Sequence, residues 1–316
     1  MKFASLVKNR KALIGLILFG ITCLVALFPG LFTTDHNPGM LGVYPLSAGP
    51  STSHLLGTTS YGQDIYSELI YGARQVLFIA LAAGGFATVI AVLVGITAAY
   101  MGGVVDEVLS LFTNVVLILP TFPLMIILAR YAGTSNWVMI IVLVVTGWSY
   151  GANQMRAQAL SLRNRDFLES ARVRGERRSY IILFEMMPTM TSLIVANFLG
   201  SALYSVLAAS GLQFIGLGNT SSESWGTMLY NANQAEALQA GNSLWIIAPG
   251  IAIAVLSAAF ALMNYAFDEI GNPALRPVRR KDLRKSRKAD RLAAANAANA
   301  RKGVDDVEPD VYADAS

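Results

Sequence analysis

Charge is scarce in this chain, and one island of it, Arg163 to Pro188, stands between long apolar runs. Its core reads Arg165-Asp166-Phe167-Leu168-Glu169-Ser170-Ala171-Arg172-Val173-Arg174-Gly175, and Pro188 follows thirteen positions after the glycine. Carboxylates and guanidiniums at this spacing offer charge-assisted hydrogen bonds to a second molecule. Glu169 and Arg172 would supply them, while Ser170 and Ala171 are small enough to permit close approach. Gly175 allows a turn that a side chain would resist. That is the chemistry of docking rather than of bond-breaking.

No reaction centre is legible elsewhere. The chain has no Gly-x-x-x-x-Gly-Lys-Ser/Thr run, so it does not bind ATP in that manner. Two histidines, His36 and His54, and one cysteine, Cys23, are too scattered for a metal site or an activated nucleophile. A lone cysteine also makes no internal disulfide. The expectation is a subunit without catalytic residues, cofactor or metal, driven by a partner.

The elements that carry the island are apolar. Of 316 residues 54% are hydrophobic and 14% charged, whereas soluble domains carry about a quarter charged residues. Six blocks approach the roughly 20 residues that cross a bilayer: Ala12–Phe28, Gln75–Tyr100, Val108–Ala129, Trp137–Gln154, Thr191–Leu217 and Leu244–Phe267. The fold class expected is an all-α polytopic membrane protein. The first block exceeds a signal peptide's apolar region and has no small-x-small site after Phe28, so it reads as an uncleaved span. Lysine and arginine set the orientation. With both termini cytoplasmic, 22 of the 24 fall inside, leaving Arg74 and Arg130 near the outer face.

Between the spans, residues 29–72 form an outer segment rich in Gly, Pro, Ser and Thr, which implies turns and caps. Ile65 to Tyr71 reads as a short interfacial helix, and Met101 to Glu107 as a short inner turn. Pro120 and Pro123 interrupt the third block, where a proline kinks a helix. The inner loop, 156–188, reads as two short helices about a Gly175 elbow: Phe167, Ala171 and Arg174 share one face, and Tyr180 to Met187 makes the second helix. A second outer loop covers 218–243. Residues 1–11 and the tail 272–316 complete the cytoplasmic side. The tail is basic and then acidic, a pattern of disordered or surface-bound segments.

Polar residues inside spans mark pathways or helix contacts. Asn114, Asn197, Tyr204 and Asn264 are the candidates for a translocation path, with Asn153 and Gln154 beside them. No span holds an unpaired charge in its middle, which argues against an ion relay and favours a neutral or zwitterionic solute. A stand-alone channel or secondary carrier is the rival reading, but no inverted repeat is detectable.

The island resembles, position by position, the hallmark of binding-protein-dependent ABC importer permeases: Glu-Ala-Ala, three residues, Gly, nine residues, Ile-x-Leu-Pro. Here Glu169-Ser170-Ala171, Gly175 and Glu185-Met186-Met187-Pro188 take those places, with Ser170, Glu185 and Met187 departing from the consensus. Residues 56–74 and the stretches Gly211–Gly218 and Ser224–Leu229 are similar to the second permease of the dipeptide/oligopeptide (nickel) branch. Thr59 stands where that branch usually has Asp, and Gln63 where it usually has Arg. The resemblance covers roughly residues 5 to 275.

It implies a type I importer permease in a bacterial plasma membrane, with Glu169, Ser170, Ala171, Arg172, Gly175 and Pro188 coupling it to an ATPase. It also implies a second homologous permease in a heterodimer, one or two ATPase subunits that hold ATP and Mg, and an extracytoplasmic substrate-binding protein. No nucleic acid is involved. Peptides are the expected solute, and oligosaccharides the alternative that the two departures raise.

Overall fold

The computed structural model describes residues 10–219, 222–271 and 292. Residues Met1–Gly271 form one compact unit and Asn272–Ser316 another. Residues 1–9 and the tail beyond 271, apart from Leu292, lie outside the described residues.

The first unit is helical. Helix α1 covers Arg10–Leu27, α2 Ile65–Met101, α3 Gly103–Ile118, α4 Thr121–Ala132 and α5 Asn136–Leu162. The short α6, Asp166–Val173, leads through a second helical stretch to α7, Thr191–Phe214. Helices α8, Trp225–Gln234, and α9, Leu244–Gly271, close the unit. Among the described residues, five helices are long and apolar enough to cross a membrane, or six if the bent pair α3–α4 counts as one.

Helix α2 is the axis. Its 37 residues give a rod of about 55 Å. The Asp64 carboxylate caps its start, accepting from the Ser67 N–H at 2.8 Å and the Ser67 hydroxyl at 2.6 Å. It ends at Gly102, φ +66°, a conformation that suits glycine. Along its length α2 packs against α5 and α7. Glycines permit the closest approaches: a Cβ on Gly84 would lie 2.8 Å from the Ala202 backbone nitrogen. Membrane helices use small residues in this way because lipid supplies no hydrophobic drive to associate.

Four expectations change. The interfacial helix expected at Ile65 to Tyr71 is the first part of α2, not a separate element. The inner turn of Met101 to Glu107 shrinks to Gly102, after which α3 begins at once. The fourth block continues to Leu162, so the glutamine end read as its limit lies mid-helix. The third block is broken rather than kinked: α3 and α4 meet at 87°. Leu119 is extended before Pro120, as the ring's clash with the preceding residue requires.

Candidate functional site

The charged island folds as a hairpin between α5 and α7. Helix α6 ends in a Schellman motif: the Gly175 N–H donates to the Arg172 carbonyl at 2.9 Å, and the Glu176 N–H to the Ala171 carbonyl at 3.2 Å. Gly175 takes φ +77° there, and a Cβ would meet nothing within 4 Å. The requirement for glycine is therefore conformational, not steric. The return stretch starts at Arg178–Tyr180, widens to a π-helical turn over Ile181–Met186 and closes at Met187–Thr189.

Its inner stripe is Leu168 and Ala171, both 0% exposed. They pack with Ile181 and Met186 against Ile96 and Tyr100 of α2 and Met155, Ala159 and Leu162 of α5. The expected face of Phe167, Ala171 and Arg174 is thus rotated: Phe167 and Arg174 lie outward. The local reason is that Leu168 offers a flexible aliphatic chain three positions before Ala171, which fits the groove between two helix ends.

Of the six proposed docking residues, Glu169, Ser170, Arg172, Gly175 and Pro188 are exposed, while Ala171 faces the bundle. Ser170 closes back on its own helix, its hydroxyl donating to the Asp166 carbonyl at 2.8 Å. Arg172 is also engaged internally. It donates to the Arg163 carbonyl at 2.9 Å, and its guanidinium sits 5.4 Å above the Tyr100 ring. Sequence reasoning missed the apolar surface: Val173 is 83% and Phe184 63% exposed. Glu185, odd in an aliphatic position, has a partner here, accepting from Arg174 across the elbow at 3.4 Å.

The hairpin joins two helices that wall one cavity of about 480 Å³. Helix α5 supplies Thr146, Tyr150 and Gln154, α7 supplies Asn197, Ser201 and Tyr204, and α9 supplies Asn264. Three of the four predicted path residues therefore meet. Asn114 does not; its side-chain amide oxygen accepts from the Asn153 side-chain N–H at 3.4 Å, away from the cavity. Asn264 donates to the Ala196 carbonyl at 2.8 Å, a helix–helix bond as well as a lining contact. The Asn197 side-chain Oδ1 is buried without a hydrogen-bond partner. Gly147 and Gly151 make room on α5: a methyl on Gly151 would drive into the Asn197 amide.

A family model described as binding-protein-dependent transport system inner membrane component matches residues 91–276. That span holds the whole hairpin and the whole cavity. The chain belongs to this family. It is a multi-pass membrane protein of the permease kind. Similar curated proteins agree. The dipeptide transport system permease protein DppC of Alkalihalophilus pseudofirmus is 27% identical over 281 residues, 87% of this chain and 89% of the relative. DppC of Bacillus subtilis is 28% identical over 271 residues, 85% and 83%. OppC of Mycobacterium tuberculosis, an oligopeptide transport system permease protein, is 30% identical over 171 residues, 54% and 59%.

The two departures in the permease's segment before α2 prove to be neighbours. The Thr59 hydroxyl donates to the Gln63 side-chain oxygen at 3.4 Å and accepts from the Gln63 N–H at 3.1 Å. Both residues are buried. Where the resembled branch has an acid and a base, this chain has a neutral pair in contact.

Proposed function

We propose that this chain is a permease subunit of an ABC importer for dipeptides or oligopeptides. It works without chemistry of its own, and partner ATPases push on the 163–190 hairpin. The observation that carries this reading is connectivity: the hairpin is the link between α5 and α7, and those two helices supply most of the cavity's polar wall. Leu168, Ala171, Ile181 and Met186 bind it into one apolar cluster with α2 and α5. A force on Glu169, Val173 or Phe184 is therefore delivered to packed helices, and close-packed interfaces shift between discrete arrangements rather than stretch. Peptide as solute rests on the relatives' names together with a cavity of amides and hydroxyls.

In this reading the hairpin faces the cytoplasm, as the lysine and arginine distribution favours. A second permease completes the pore, and a binding protein delivers the solute to the opposite face. The test is co-purification in mild detergent. ATPase subunits should be retained by the wild-type permease and lost on Val173→Glu, which leaves the buried stripe intact. Retention by both would move the dock elsewhere, and recovery of a transport-competent permease without any ATPase would favour a stand-alone carrier.

A further inference from the structure

Glu68 stands in the first turns of α2, 3% exposed, and its Oε2 is buried with no hydrogen-bond partner. A carboxylate oxygen in that state is costly until a donor reaches it. Glu68 lines a cleft of about 370 Å³ together with Gln63, Tyr61, Asn231 and a second acid, Glu223. The two carboxyls thus line one cleft, and Asp64, a further buried acid, precedes Glu68 by one turn. Neither Glu68 nor Glu223 takes part in an ion pair among the described residues.

The cleft is built, not incidental. Glu223 lies against the 29–64 segment, where a Cβ on Gly39 would come within 2.7 Å of its Oε1. Burial pushes the Glu223 carboxyl up from its ordinary range, the Gly39 N–H opposes that, and nearby Asp35 adds to the rise. Each of these effects, save the Gly39 contact, is relieved by a cation. A metal ion is the weaker fit: no group of three His, Cys, Asp or Glu able to hold one occurs among the described residues. Two carboxylates flanked by neutral amides suit a compact organic cation, and an alkylammonium brings three N–H donors.

We propose that Glu68 and Glu223 form a subsite for a primary ammonium, such as the free amino end of a peptide, where solute enters the bundle. The inference rests on the importer reading for its biological meaning, but the binding itself does not.

The test uses purified permease in detergent, titrated with alaninamide, which carries a free ammonium, and with N-acetylalaninamide, which does not. Alaninamide should bind saturably and the acetylated probe should not. Glu68→Gln should weaken alaninamide binding about tenfold or more, the scale of one charged hydrogen bond. Glu223→Gln, at the partly exposed rim, should weaken it in the same direction, and it guards against misfolding at the buried position. Equal affinity for the two probes, or unchanged affinity in both variants, would overturn the subsite. Reconstituted uptake separates the two ideas. Amine binding without peptide uptake would strike the importer reading alone, and peptide uptake with amine binding unaltered in both variants would strike the subsite alone.

Discussion

The two ends of α2 are built in opposite ways. At the Met101 end the hairpin is helical, its inner stripe is aliphatic, and its guanidiniums, Arg163, Arg172 and Arg178, share a cleft with only Glu176 as an acid. At the Ile65 end the chain is mostly turns, and side chains stand in for regular structure. Thr58 bonds the Pro45 carbonyl and the Ala48 N–H, His54 contacts Asp64 at 3.0 Å, and Asn242 reaches the Thr58 carbonyl at 3.3 Å. The buried acids there are Asp64 and Glu68. The contrast separates two jobs. In the importer reading, helical elements with an apolar seam would transmit displacement, whereas a turn-rich segment pinned by short polar side chains would make a shaped, polar surface for a solute.

The largest predicted effect breaks the polar end. Thr59 is 0% exposed, so Thr59→Asp places a lone charge in a dry site and should cost about 3–5 kcal/mol. Adding Gln63→Arg should recover a large part, because the two side chains already touch. A double-mutant cycle on thermal stability measures that recovery, and strict additivity would refute the paired-replacement account.

At the hairpin end, Leu168→Ala should cost about 2–5 kcal/mol through the cavity it leaves. The loss should be local, with the hairpin's amide exchange accelerating while the α2–α7 contact stays protected. Uniform destabilisation would show that the hairpin is not a separate unit. The smallest effect is expected at the elbow's surface. Arg174 is 54% exposed, so Glu185→Leu should change stability by less than about 1 kcal/mol. A larger change would give that ion pair a role that its exposure does not predict.

Much of this was legible in the sequence, for definite reasons. Apolar length exposed the spans, and the glycine at position 175 marked a turn that its backbone freedom favours. The loop between α5 and α7 was legible because its charges have no place in lipid. The features that stayed hidden depend on rotation and contact. Leu168 outranks Phe167 as a buried residue because of the groove it meets, which no spacing rule contains. Asn114 and Asn197 look alike in sequence, yet helix rotation puts only Asn197 into the cavity. Pro120 signalled disturbance, but whether a proline bends a helix or ends it is settled by the packing around it. Glu68 passed unnoticed because an acid near a helix start is ordinary; its burial and its unpaired oxygen are not.

In the importer reading, the hairpin's shape couples ATP hydrolysis to the α5–α7 cavity. Its most direct test is the ratio of solute imported to ATP hydrolysed in proteoliposomes holding the full transporter, compared across wild type, Gly175→Asn and Gly175→Val. Asparagine tolerates the left-handed conformation at φ +77° and a β-branched residue does not. The account predicts near wild-type coupling for Asn. For Val it predicts hydrolysis with little import, while the permease remains inserted. Full coupling with Val would contradict it.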